Sequence, residues 1–276
     1  MRAIMRSPLG TVVFVLLAIF FALPGYAGPL KFPTEPTPNS LYKPDGSGLF
    51  PAVVLLHTCG GIRPHIFEWG QRLKERGYVA LVVDSFTPRG EQIVCGNWRV
   101  SVDDVAGDAL SALDHLRTLP FVDKDRIGAM GFSYGAMAAL RTASPSYRRS
   151  KRPDGTGFRA VVGFYPACTP KPGAPPDVQE RWNNLRDDTN IPTLILIGDA
   201  DDETPPAQCT SKADELQKAG RPVSIKVYPG ATHAFDRSEF STPFRTQRGN
   251  TYQYDHRATM DGAKVSAEFF EKNMPK

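Results

Sequence analysis

Ser133 lies in Gly131-Phe132-Ser133-Tyr134-Gly135. A serine in a G-x-S-x-G turn is a nucleophile for acyl transfer when a strand enters the turn and a helix leaves it. The flanks meet that condition. Asp123–Met130 has the pattern of a turn and a short buried strand, and Ala136–Thr142 that of a helix. Such a turn is tight and packs helix close to strand, so glycine is needed at both ends, where a Cβ has no room. A chance match is expected about one time in ten at this Gly and Ser content, so the strand–helix setting carries the weight.

A hydroxyl is a poor nucleophile until a base takes its proton, and the base must be oriented by a third group. Among the five histidines, His233 follows Tyr228–Thr232 just past the last apolar strand. His115 lies inside a helix, His65 opens one and His256 starts the final one; these three read as surface residues. Gly198–Pro205 follows a buried strand and offers the acid. Asp201 is favoured there over Asp202 and Asp199, which would be helix caps or solvated charges. Ser133, Asp201 and His233 then stand in the chain order of α/β-hydrolases. An oxyanion hole needs two backbone N–H groups. Tyr134, after the nucleophile, supplies one. Thr58, in Thr58-Cys-Gly-Gly61 after a central strand, supplies the other, with Cys59 next; the alternative for that loop is a plain turn.

The elements that must position these groups alternate along the chain. Apolar runs at 52–57, 78–84, 160–165, 193–197 and 223–227 read as strands, with a short edge strand near 40–43. Helical spacing covers 66–76, 102–119, 206–220 and 254–272. Uniformly apolar strands separated by helices give an α/β fold with a mostly parallel sheet covered on both faces. Ligands bind beyond the carboxyl ends of such strands. The long connections 169–190 and 237–253 would rim the site.

Arg2 and Arg6, then the apolar run Thr11–Leu23, then Gly25-Tyr26-Ala27, have the layout of a secretory signal over residues 1–27. The rival is a retained anchor, but the run is short for a span of ~20 residues. Residues 28–276 then form one domain with a large core, in a secreted or periplasmic setting. The leader holds two basic and no acidic residues, so the net charge of +4 falls to about +2 without it. The cluster Arg148-Arg149-Ser-Lys151-Arg152 reads as a solvated loop rather than a nucleic-acid patch, since no stacking aromatics accompany it. Four cysteines in an exported chain favour disulfides, with three pairings possible. Cys168 and Cys209 follow consecutive strands, which are usually neighbours, so that pair is expected first and Cys59–Cys95 is the remainder. No C-x-x-C or H-x-x-x-H spacing offers a metal site, and the chemistry needs no cofactor.

The segments Pro51–Gly61, Gly77–Asp84, Gly131–Gly135, Gly198–Pro205 and His233-Ala-Phe235 together resemble the dienelactone hydrolase family of α/β-hydrolases, in its secreted branch. The resemblance implies an α/β-hydrolase fold and hydrolysis of carboxylic esters or lactones. It also implies two arginines on a substrate carboxylate, matching Arg89 and Arg237 here; the alternative is salt bridges within their loops. Two departures stand out. The dienelactone enzymes use a cysteine nucleophile where this chain has Ser133, and a glutamate where it has His57. Both move the expected substrate from dienelactone toward ordinary esters. The expected partner is a small ester or lactone, with no nucleic acid and no membrane once the leader is removed. The rivals are a peptidase or acyl-peptide hydrolase, for which there is no length for a gating domain, and a binding protein that keeps the fold.

Overall fold

The computed structural model describes residues 30–171 and 173–275. The expected leader lies outside the described residues. In chain order the elements are β1 (Leu41–Tyr42), β2 (Phe50–Leu56), α1 (Pro64–Glu75), β3 (Val79–Val83), α2 (Val102–Thr118), β4 (Val122–Phe132) and α3 (Tyr134–Thr142). There follow α4 (Pro145–Lys151), β5 (Val161–Phe164), α5 (Pro176–Trp182), β6 (Thr193–Gly198), α6 (Pro206–Lys218), β7 (Val223–Tyr228), β8 (Phe244–Arg245), β9 (Thr251–Tyr252) and α7 (His256–Asn273).

Seven strands form one sheet in the order β1-β3-β2-β4-β5-β6-β7. Only the edge strand β1 is antiparallel. β2, β3 and β5 are almost wholly apolar and β2 to β6 are buried along most of their length, as strands covered on two faces must be. The chain adds β3 on one side of β2 and then crosses to place β4 on the other. That reversal opens a crevice at the carboxyl ends of β2 and β4, where an open parallel sheet binds ligands. Thr58 follows β2 and Ser133 follows β4, so both border the crevice. No helix among the described residues is long and apolar enough to cross a membrane.

Three expectations are corrected. The basic cluster at 148–152 is mostly the helix α4 and not a loop. Arg148 is buried, donating to the carbonyls of Thr142 and Gly155 at 2.9 Å each. His65 is wholly buried, because α1 begins two residues earlier than its spacing indicates. His65 thereby joins Trp69 and Leu73 on the inward face. His115 is half-buried, with Nε2 2.8 Å from the Pro33 carbonyl. The two long connections also carry structure of their own, α5 in one and the β8–β9 hairpin in the other.

The disulfides are Cys59–Cys95 and Cys168–Cys209, the pairing expected from strand adjacency. Neither joins two strands of the sheet. The first ties the loop after β2 to the segment after β3, and the second ties the loop after β5 to α6.

Candidate active site

The turn from β4 into α3 is as tight as the pentapeptide requires. Ser133 has φ 50°, a left-handed value that costs a serine free energy and is held by the packing around it. A Cβ on Gly131 would lie 2.2 Å from the Gly135 carbonyl oxygen, and one on Gly135 would lie 2.2 Å from that of Leu56. Both glycines are therefore fixed by backbone contact. The Ser133 N–H is anchored on the Phe164 carbonyl at 2.9 Å.

The structure brings three of the expected residues together. His233 Nε2 lies 3.0 Å from Ser133 Oγ. His233 Nδ1 lies 2.8 Å from Asp201 Oδ2. All three side chains are buried. Asp201 Oδ1 accepts the N–H groups of Glu203 (3.0 Å) and Thr204 (2.8 Å), so the carboxylate faces the ring in one orientation. The alternatives are occupied elsewhere: Asp199 accepts from the Gly230 N–H at 2.6 Å and Asp202 from that of Thr251 at 3.1 Å. Burial opposes charge on His233, but the charge of Asp201 and its hydrogen bond outweigh it, so the pKa is raised above the ordinary histidine value.

Three contributors carried no signal in the spacing. Thr204 Oγ1 sits 2.9 Å from Asp201 Oδ2, 3.1 Å from His233 Nδ1 and 3.1 Å from the Tyr165 carbonyl, tying acid, base and β5 edge together. Gly198 lets the histidine loop reach the acid loop, since a Cβ there would lie 1.9 Å from the Ala231 oxygen. Asp236 is buried and accepts from Trp69 Nε1 (2.7 Å) and Tyr165 OH (2.5 Å). Desolvation raises its pKa, and the Tyr165 ring it holds packs edge-on against His233 at 4.7 Å.

The oxyanion candidates border the same turn. His57 is buried, with Nδ1 2.8 Å from the Thr58 carbonyl. Desolvation lowers its pKa, so the neutral ring donates to that oxygen. The Gly61 N–H donates to the same carbonyl at 3.0 Å. These bonds fix the Thr58–Gly61 turn, whose two ends pair as an isolated antiparallel bridge. Arg89 and Arg237 are each held in an ion pair, Arg89 across to α2 and Arg237 within its own loop. Arg89 makes a two-pronged pair with Asp108 (2.7 and 2.9 Å) and also bonds the Ser85 carbonyl, and Arg237 pairs with Glu239 at 2.6 Å. Each guanidinium is satisfied by a carboxylate of its own. No group of three or more potential metal ligands gathers among the described residues.

A buried hydroxyl, an imidazole and a carboxylate linked in series can shuttle one proton from oxygen to nitrogen and back, which is the chemistry of acyl transfer. The sheet, its helices and this turn define an α/β-hydrolase. The model of the dienelactone hydrolase family matches residues 38–274, so the chain belongs to that family and is a carboxylic ester hydrolase. Among curated relatives, a Bradyrhizobium protein assigned as a 2-oxo-3-(5-oxofuran-2-ylidene)propanoate lactonase is 28% identical, over 71% of this chain and 77% of its own. A Methylorubrum extorquens protein assigned as a carboxymethylenebutenolidase is 25% identical, over 80% and 76%. Among solved structures, the butyrate-bound esterase of Thermogutta terrifontis superposes with a TM-score of 0.63 at 22% identity, over 86% and 90% of the two chains. At that identity the likeness speaks for the fold alone.

Proposed function

We propose that the protein is an exported serine hydrolase that cleaves carboxylic esters or lactones through an acyl-enzyme. The unbroken series Asp201–His233–Ser133, at 2.8 and 3.0 Å, carries this reading. His233 Nε2 takes the Ser133 proton as Oγ attacks the carbonyl carbon. The Thr58 and Tyr134 N–H groups hold the oxygen that becomes negative. The tetrahedral centre collapses, the C–O bond to the alcohol breaks, and the alkoxide leaves with the proton from His233. Water then gives a proton to His233 and its oxygen to the acyl carbon, releasing the acid and restoring Ser133. Asp201 fixes the Nδ1–H tautomer and stabilises the imidazolium. The relatives assigned as lactonase and carboxymethylenebutenolidase support a cyclic or open ester as substrate. Two disulfides and the leader composition support export.

The test combines p-nitrophenyl acetate turnover with fluorophosphonate labelling. Wild type should turn over and be labelled, and Ser133→Ala should do neither. Turnover that survives Ser133→Ala unchanged would remove Ser133 from the chemistry.

A further inference from the structure

A cavity of about 410 Å³ is lined in part by Thr204, which contacts both Asp201 and His233. Its walls are mainly apolar and include Trp98, Met137, Val178 and Trp182. Met137 lies one helical turn past Ser133. Trp98 stacks on Tyr134 at 5.6 Å and meets Trp182 edge-on at 5.3 Å, so flat aromatic surfaces continue from the oxyanion residue into the cavity. Such walls suit a planar apolar group by area and by ring geometry.

Charge at this cavity is uneven. Arg248 and Lys171 face it together with Glu203. The Glu203 carboxylate is engaged by the Tyr252 hydroxyl. Arg248 comes from the β8–β9 loop and reaches across to the opposite wall, with its guanidinium 6.0 Å from the Trp98 ring centre and close against Gly96. Among the described residues it has no carboxylate partner. Arg89 and Arg237, by contrast, are each paired within the fold.

We propose that, within the ester-hydrolase reading above, this site selects esters bearing an aryl group with a carboxylate. The ring lies in the Trp98–Trp182 cavity and the carboxylate bonds Arg248. A guanidinium held over an indole keeps its planar fork free for a carboxylate. Arg248 is thus a specificity residue that the motif pattern does not reveal.

Steady-state kinetics on 4-acetoxybenzoate and 4-acetoxybenzamide test this, with the ratio of their kcat/KM values compared between enzymes. Leaving-group differences are common to all variants and cancel in that comparison. Arg248→Gln should cut the preference for the benzoate about fivefold, the full strength of a solvent-exposed ion pair, with the change in KM rather than kcat. Arg245→Gln, a neighbouring cation outside the cavity, should leave the ratio as in wild type. Trp98→Ala should raise KM for both esters. An unchanged ratio in Arg248→Gln, or a ratio that moves with Arg237→Gln instead, overturns the assignment. So does failure to cleave either aryl ester by an enzyme that turns over p-nitrophenyl acetate. If wild type turns over no ester at all, the hydrolase reading itself fails and this one with it.

Discussion

His65 should make the fold sensitive to acid through a single buried ring. Both its nitrogens are buried without a hydrogen-bond partner among the described residues, and the ring meets Phe132 edge-on at 5.4 Å. Desolvation, aided by the nearby Arg237 charge, pushes its pKa down to about 3 from an ordinary value of 6.5. Between those values the unfolded chain binds a proton that the native state refuses, so stability falls as pH falls. Above pH 6.5 both states are neutral and nothing is lost; below pH 3 the loss is complete. The slope within the window is about 1.4 kcal/mol per pH unit, giving a loss of about 2 kcal/mol by pH 5. His65→Leu removes the titration and also two unsatisfied polar atoms, so it should be neutral or stabilising at pH 7.5. Urea unfolding at pH 7.5, 6 and 5 measures this. The advantage of His65→Leu over wild type should grow by about 2 kcal/mol from pH 7.5 to pH 5. A constant offset between the two proteins across that range would refute the reasoning.

Two further outcomes follow from the site. Because Asp201 raises the His233 pKa, log kcat/KM should fall as pH drops through a value above 6.5, where the base becomes protonated, and Asp201→Asn should move that inflexion downward while lowering kcat by roughly 10³–10⁴-fold; an inflexion that stays in place would detach Asp201 from the base. Thr204→Val deletes the hydroxyl between acid and base, and pre-steady-state acylation should slow about tenfold, equivalent to about 1.4 kcal/mol for one bond to a charged group; an unaffected rate would show that the backbone N–H bonds hold Asp201 unaided.

Local pattern determined what was readable in the sequence. The elbow glycines, the apolar strands and the order Ser133, Asp201, His233 are all matters of near neighbours or of chain order. The disulfide pairing was legible for a related reason, because it follows strand adjacency. Partners set by tertiary approach were not legible. Asp108 reaches Arg89 from α2, which the chain visits only after another loop. Thr204 gains its contacts only when the β5, β6 and β7 loops meet. Gly198 looks like an ordinary strand end until Ala231 lies against it. His65 was misplaced by the start of one helix, since two residues decide which side chains share a face with Trp69. The hairpin carrying Arg248 has strands of only two residues, too short to produce a periodic signal.

The two disulfides divide the molecule into parts that depend on different forces. Ser133, Asp201 and His233 hang from strands whose order is set by backbone pairing and apolar burial, with no cystine between them. The aromatic walls depend on sulfur. Cys59–Cys95 moors the Trp98 segment to the Thr58 loop, and Cys168–Cys209 moors the chain leading to Val178 and Trp182 onto α6. Each bridge closes a loop, across separations of 36 and 41 residues, that would otherwise cost about 4 kcal/mol in chain entropy. Reduction would therefore loosen the aromatic walls together with the Thr58 loop, and at about 4 kcal/mol for each bridge it would weaken the fold that holds the site.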